Sequence, residues 1–486
     1  MNIHTLWFRS LAGWLLMPAL SVSAEVLTLT DCALEAADRS LILEAQCGQL
    51  RLAENPQQPE GRQISLSFAV VPARSREPAA DPIVYFAGGP GQSASESFHL
   101  IHPVLHALNR KRPLWILDQR GTGRSEPLRC DQPVEQWIKL EDSTAIEFAQ
   151  ACRQALEAQG RDLRWYGTTE AIQDLEQLRL AMGAPRLNLI AGSYGTRVAQ
   201  AYMRRYPGSV RTAVLDGVVP PGLALGQEHA LNLERALDLQ AAHCHSRPAC
   251  AERFGSLRAS LTQLMSLLQG REQVVTVASP RTGEPMEVPL SADTLAAVVR
   301  LFSYGRDSAS LLPLVLDEAR QGRPQMLASQ AAILLDAMAE GIYHGMQLSV
   351  SCSEDMPRLR ADPDDAQRVL GGALTHFMRL QCAQWPTKPI AADFHEPVRV
   401  DVPTLLLSGE WDPVTPPSYG DIVAAELPNA RHLVLPGQGH IVMRAGCMPE
   451  LIEEFVSVAS SQSLQAECLD SLGPPAVFLS TTGTAP

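Results

Sequence analysis

The chain has 486 residues, 45% of them hydrophobic and 19% charged, and its 53 acidic against 40 basic side chains give a formal net charge of −13. That length excludes a single small module, and the apolar share excludes a disordered chain. The acidic balance, with no run of basic residues, excludes a binder of nucleic-acid backbone.

Residues 1–24 hold His4 and Arg9 and no acid, then the apolar run Leu11 to Val22, then the small-residue end Val22-Ser23-Ala24. This pattern predicts a cleaved signal peptide. A membrane anchor fits less well, because the run is shorter than the roughly 20 residues a bilayer demands, and Pro18 interrupts it. The expectation is an exported chain, periplasmic or secreted, with no stable membrane insertion after cleavage. All ten cysteines follow this segment, and an even count in an exported chain suits disulfides. Neighbours fall together as Cys32 with Cys47, Cys130 with Cys152, Cys244 with Cys250, Cys352 with Cys382 and Cys447 with Cys468, although spacing leaves the connectivity open. There is no CxxC pair, and His243-Cys244-His245 has no second ligand cluster, so no metal is expected.

From residue 62 strand and helix patterns alternate. Ile64 to Val71, Ile83 to Phe86 and Leu114 to Leu117 are short apolar runs of the kind that fill a sheet buried on both faces. A helix is predicted from Thr168 to Met182, then a strand at Leu187 to Ile190, a glycine turn, a helix to about Tyr206, and a strand at Val210 to Leu215. This βαβ rhythm predicts an α/β fold with a mostly parallel central sheet and helices on both faces. The rhythm stops at Pro220-Pro221. Mostly helical patterns follow, with one possible hairpin at 273–289, until strands resume at Thr404 to Leu407 and His432 to Leu435. The predicted organisation is therefore a first core part at 25–221, an inserted helical cap at 222–395, a second core part at 396–470 and a loose tail at 471–486.

The strand ending at Ile190 runs into Ala191-Gly192-Ser193-Tyr194-Gly195 and then a helix. A serine on such a turn projects over the sheet, and the glycines give room where backbones crowd. Alone, a glycine-serine turn before a helix is equally an N-cap. A serine nucleophile needs a histidine base and a carboxylate to orient it. Downstream, one strand ends in Glu410-Trp411-Asp412-Pro413 and the next in Gln438-Gly439-His440. Ser193, Asp412 and His440 are thus the candidate catalytic residues, with Glu410 the fallback acid. An oxyanion needs two backbone N–H donors: Tyr194 is the first candidate, and Gly89, in the glycine-rich loop after Ile83 to Phe86, is the second.

YFAGGPGQS (85–93), LDQRGTGRS (117–125), AGSYGT (191–196), GEWDPVTP (409–416) and GQGH (437–440) resemble, in order and spacing, the prolyl aminopeptidase and tripeptidyl aminopeptidase family of α/β-hydrolase serine peptidases, over roughly residues 60–460. Ala87 and Ala191 depart from it, standing where many members have His and Gly. The resemblance implies an α/β-hydrolase fold and serine-dependent release of amino-terminal residues, proline or short peptides such as tripeptides, with no cofactor. It makes Asp118 and Arg120 scaffold residues. In Cys352-Ser353-Glu354-Asp355, similar to the C-x-E-D segment of the tripeptidyl branch, it makes Glu354 the anchor for the substrate's free amine and Asp355 its neighbour. The alternative is a carboxylesterase or other acyl hydrolase on the same fold, since fold does not fix substrate.

Overall fold

The structure, a computed structural model, describes residues 27–36, 39–130 and 141–484. The predicted signal segment lies outside them. Nine strands form the central sheet: β1 (Thr30–Glu35), β2 (Ile42–Ala53), β3 (Gln63–Val71), β4 (Ile83–Phe86), β5 (Leu114–Leu117), β6 (Leu187–Gly192), β7 (Val210–Asp216), and, after an insertion that holds β8 (Gln273–Ala278) and β9 (Pro285–Leu290), β10 (Thr404–Gly409) and β11 (Ala430–Leu435). Their order is β1-β2-β3-β5-β4-β6-β7-β10-β11. Pairing is parallel from β5 to β11 and antiparallel from β1 to β5.

The parallel strands are apolar because helices cover both faces. Every residue of β5, β6 and β10 is buried, and each fully buried leucine such as Leu189 or Leu406 contributes about 1.5–3 kcal/mol. β5 and β6 flank β4 on opposite sides. Where strand order reverses in this way, a crevice opens at the carboxyl ends of the strands. The loops after β4 and β6 therefore share one crevice, and the loops after β10 and β11 emerge at the same end of the sheet.

The insertion between β7 and β10 packs in two ways. Helices His229–His245, Leu257–Leu268, Ala292–Phe302, Arg306–Arg320 and Gln325–Gly341, with the antiparallel β8–β9 hairpin, enclose a core of their own around Leu233, Leu261, Val299, Leu312 and Leu316. From Tyr343 the chain instead turns to the main core, where Tyr343, Met346, Val350, Cys352 and Trp385 pack with Leu187 and Tyr194, although Val369 and Leu370 still lean on the cap. The helix His344–Glu354 is buried at every residue but Gln347, so it has no solvent face and packs into the main core rather than the cap core.

The tail differs from its predicted looseness. Leu479 is buried with Cys244, Cys250, Phe254 and Leu314, and Val477 and Phe478 pack beside them. Phe478 N–H donates to Ser310 O at 3.1 Å. A side chain on Gly437 would collide with Pro474. Three apolar residues in Ala476-Val477-Phe478-Leu479 find an apolar seat, and that outweighs the turn-rich composition. All five neighbouring cysteine pairs are disulfides. Among the described residues no helix is long and apolar enough to cross a membrane.

Candidate active site

Ser193 stands between β6 and the helix Tyr194–Arg205 with φ 54° and ψ −126°. A left-handed backbone at a residue other than glycine costs about 1–3 kcal/mol and persists only where neighbours impose it. Here the Ser193 N–H donates to Asp216 O at 2.9 Å, while Thr196 N–H and Thr196 Oγ1 donate to Ser193 O at 2.8 and 2.7 Å. Gly195 is required two residues on, since a Cβ there would run into the Phe86 and Ala87 carbonyls. Ala191, by contrast, is fully buried within β6, paired with Phe86 and Leu215. The sheet accommodates its methyl.

Asp412 and His440 lie on the loops after β10 and β11. Asp412 Oδ2 is 2.7 Å from His440 Nδ1. A carboxylate only accepts, so Nδ1 carries the proton and Nε2 keeps its lone pair. The other carboxylate oxygen accepts from Val414 N–H and Thr415 N–H at 2.8 Å each, and Thr415 Oγ1 donates to Oδ2 at 2.7 Å. Burial pushes the Asp412 carboxyl up, but His440 and the Thr415 donors outweigh it and hold the group below the usual carboxylate range. Burial works in turn to lower the His440 pKa, and the Asp412 carboxylate more than offsets it, leaving the imidazole above its ordinary 6.5. Glu410 is turned away, accepting from Gly437 N–H at 2.8 Å.

The loop after β4 is pressed against the serine. A Cβ on Gly88 would lie 3.1 Å from Ser193 Cβ, and Gly89 has φ 103°, a conformation glycine adopts freely. Among the described residues the N–H groups of Gly89 and Tyr194 meet no hydrogen-bond acceptor. Asp118 ties this loop down by accepting from Ser93 Oγ at 2.7 Å and from Ser95 N–H at 2.9 Å and Oγ at 2.7 Å. Arg120 donates to both carboxylate oxygens of Asp174 at 2.6 Å, and to Glu54 O at 2.9 Å and Trp165 O at 2.7 Å.

Glu354 and Asp355 are buried behind the nucleophile turn rather than exposed. Glu354 accepts from Thr168 N–H at 2.7 Å and Thr168 Oγ1 at 2.9 Å. The Thr168 hydroxyl is in turn 2.7 Å from the Tyr194 phenol. Asp355 Oδ1 accepts from Arg197 Nη1 and Leu225 N–H, both at 2.9 Å, and Arg197 stands 3.8 Å from Glu354. Two acids thus share one cation. Burial, partly countered by Arg197, pushes the Glu354 carboxyl up to about 7. The disulfide Cys352–Cys382 fixes the end of this helix.

Several residues at the site had no signature in the sequence. Thr415 was visible only as part of GEWDPVTP. Asp216 closes β7, and its Oδ2 accepts from Val442 N–H and Met443 N–H at 2.7 Å, anchoring the segment after His440; burial raises its carboxyl to about 7. From the cap, Tyr304 O accepts the His440 N–H at 2.7 Å, and its ring meets the imidazole edge-on at 5.2 Å. Such contacts between a helical insertion and a core loop leave no spacing rule to read.

Residues 81–275, which include Gly89, Ser193 and Tyr194, match the family described as alpha/beta hydrolase fold, and residues 368–468, which include Asp412 and His440, match that of TAP-like protein. The chain is 23% identical over 462 residues to the serine protease Hip1 of Mycobacterium tuberculosis, covering 87% of each chain. It is 28% identical over 241 residues to a tripeptidyl aminopeptidase of Streptomyces lividans, covering 44% of this chain and 42% of that one. Carboxylesterase B of Mycobacterium tuberculosis is 29% identical over 251 residues, 48% of each. With the β4 loop, the turn at Ser193 and the Asp412–His440 pair all at one end of a mostly parallel sheet, the chain has the α/β-hydrolase fold, matched by family models over residues 81–275 and, as a TAP-like segment, 368–468.

Proposed function

We propose that the chain is an exported serine aminopeptidase that releases proline or short peptides, such as tripeptides, from the amino terminus of peptides through an acyl-enzyme. The observation that carries the reading is His440 held at 2.7 Å by Asp412 at the same sheet end as the strained turn of Ser193. Ser193 attacks the scissile carbonyl. His440 Nε2 takes its proton and later delivers it to the departing amine, while Asp412 orients the ring and stabilises the imidazolium. The N–H groups of Gly89 and Tyr194 receive the oxyanion. The five disulfides support an oxidising compartment, and the family resemblances to a serine protease and a tripeptidyl aminopeptidase support peptide substrates.

The base must be neutral to work, which sets a pH dependence. Because the His440 pKa lies above 6.5, the neutral fraction falls as pH drops through that raised value. The acid limb of kcat/KM is therefore expected above pH 6.5, and in Asp412→Asn, where the offsetting charge is gone, it moves down as the rate falls. A pH profile with its acid limb unmoved in Asp412→Asn would contradict the assignment of His440 as base.

Glu354 separates the aminopeptidase from a carboxylesterase. One arginine, Arg197, serves two acids, so the buried cluster carries one more acid than base, and an arriving ammonium is the charge it lacks. Asp355 serves the site by holding Arg197. Each Glu354 oxygen keeps a second acceptor position for the amine. Glu354→Gln is expected to raise KM for peptides with a free amino terminus by about 10- to 100-fold, the weight of a hydrogen bond to a charged group, and to change blocked peptides and simple esters much less. The test compares free and blocked peptide amides of Pro, Ala and short peptides with an acyl ester. Equal turnover of free and blocked peptides sinks the aminopeptidase reading and favours the esterase.

A further inference from the structure

Beside Tyr304, the cap helix Ala292–Phe302 brings a charged group toward the reacting centre. Arg300 Nη2 donates to Tyr304 Oη at 3.0 Å and to His229 Nδ1 at 3.2 Å, and its guanidinium carbon lies 5.6 Å from the centroid of the Tyr304 ring. The Tyr304 ring is the one that meets His440 edge-on. Arg300 and Tyr304 are half-buried, and contacts run from Arg300 through the Tyr304 ring to His440.

Arg300 is not balanced where it stands. Its hydrogen-bond partners are a phenol and an imidazole, and His229 is kept neutral: burial first, then Arg300 itself, hold its pKa well below 6.5. Among the described residues no carboxylate pairs with Arg300, and its buried Nε has no acceptor. Asp412, the nearby acid on the core side, is already engaged by His440. A guanidinium offers a planar fork matched to a carboxylate, and leaving a partly desolvated one unpaired is costly unless something else supplies the anion.

We propose that Arg300 is a specificity-determining residue that binds a carboxylate on the departing part of the substrate. The inference rests on the serine-hydrolase reading of the site. The departing fragment takes its proton from His440, so it is the part of the substrate in contact with that ring and hence nearest to Tyr304 and Arg300. The carboxylate comes either from an acidic side chain just after the scissile bond or from the free carboxyl end of a short peptide.

The test is a ratio of kcat/KM within matched pairs. One arm compares peptides with Glu or Gln immediately after the scissile bond, all carboxyl-amidated; a second compares free-acid and amidated forms of a peptide without acidic side chains. A third uses esters whose alcohol fragment carries a carboxylate or its amide, which keeps the question open even if peptides are not cleaved. Wild type is expected to prefer the carboxylate member by about tenfold or more in at least one arm, the advantage expected of a charge-assisted pair. Arg300→Gln brings that ratio near one, and Arg300→Lys keeps part of it. No preference in any arm of wild type, or a preference that survives in Arg300→Gln, overturns the proposal. Because the wild-type ratio is decisive without a variant, misfolding of Arg300→Gln does not blunt the test. Loss of the aminopeptidase reading shows separately, as turnover of esters without turnover of peptides.

Discussion

Ser193→Ala is expected to abolish hydrolysis of peptides and esters alike, by about 10⁴-fold or more in kcat, while leaving the fold intact. The change removes one oxygen from a half-buried side chain that, among the described residues, takes no hydrogen bond. Ser125→Ala is the matched control. Ser125 Oγ accepts from Ser67 N–H at 2.8 Å, so its loss acts on packing between β3 and the loop after β5 and leaves the chemistry in place. Residues that act as one unit are not additive, and the Ser193→Ala, His440→Ala double variant should be no slower than the worse single one. Steady-state turnover of an acyl ester and a peptide amide checks this, and a fully active Ser193→Ala protein would end the proposed mechanism.

Arg120→Met is expected to cost about 3–5 kcal/mol of stability, the usual penalty for removing one partner of a buried pair, read as a lower urea midpoint. Arg120 is 1% exposed. It gathers Asp174, the β2 end at Glu54 and the turn at Trp165 around one guanidinium. Without it Asp174 becomes an unpaired buried carboxyl, a group that burial already pushes up despite the arginine beside it. Removing both charges in Arg120→Met, Asp174→Leu should recover much of the loss, since the unpaired charge and not the missing contact carries most of it. A double variant as unstable as the single one would show that the two main-chain bonds to Glu54 and Trp165 matter more. Loss of stability in Arg120→Met with unchanged kcat in the surviving folded protein is what a scaffold role requires.

What the sequence made legible follows from how local each signal is. β4 and β5 are short strands buried on both faces, so four apolar residues closed by a polar or glycine-rich turn mark them to the residue. Ser193 and Asp412 are proposed because each follows a strand of that kind, His440 because it follows the short apolar run of the half-buried edge strand β11, and all three because their order along the chain is constrained by chemistry. β1 and β2 went unread, since at the sheet edge only Leu34 within β1 and Ala45 and Gly48 within β2 are fully buried and the alternation is weak. The helix His344–Glu354 was read only as part of a mostly helical stretch, for the opposite reason: buried at every residue but Gln347, it has no amphipathic period. Glu354 was accordingly placed by resemblance, and its burial beside Thr168 and Arg197 emerged only in three dimensions. Tyr304 and Arg300 reach the site from the insertion, and no rule of spacing connects a cap helix to a loop made more than a hundred residues later.

The same insertion sets an order in time. β7 and β10 are adjacent in the sheet but are made on either side of the whole cap. A ribosome therefore delivers the proposed nucleophile long before its acid and base. Every nascent or truncated chain ending short of His440 carries a serine with nothing to take its proton. Pro474 to Leu479, made after all of these, then wedge between the loop at Gly437 and the cap helix at Ser310. On the proposed mechanism, an unfinished chain is inert throughout its synthesis.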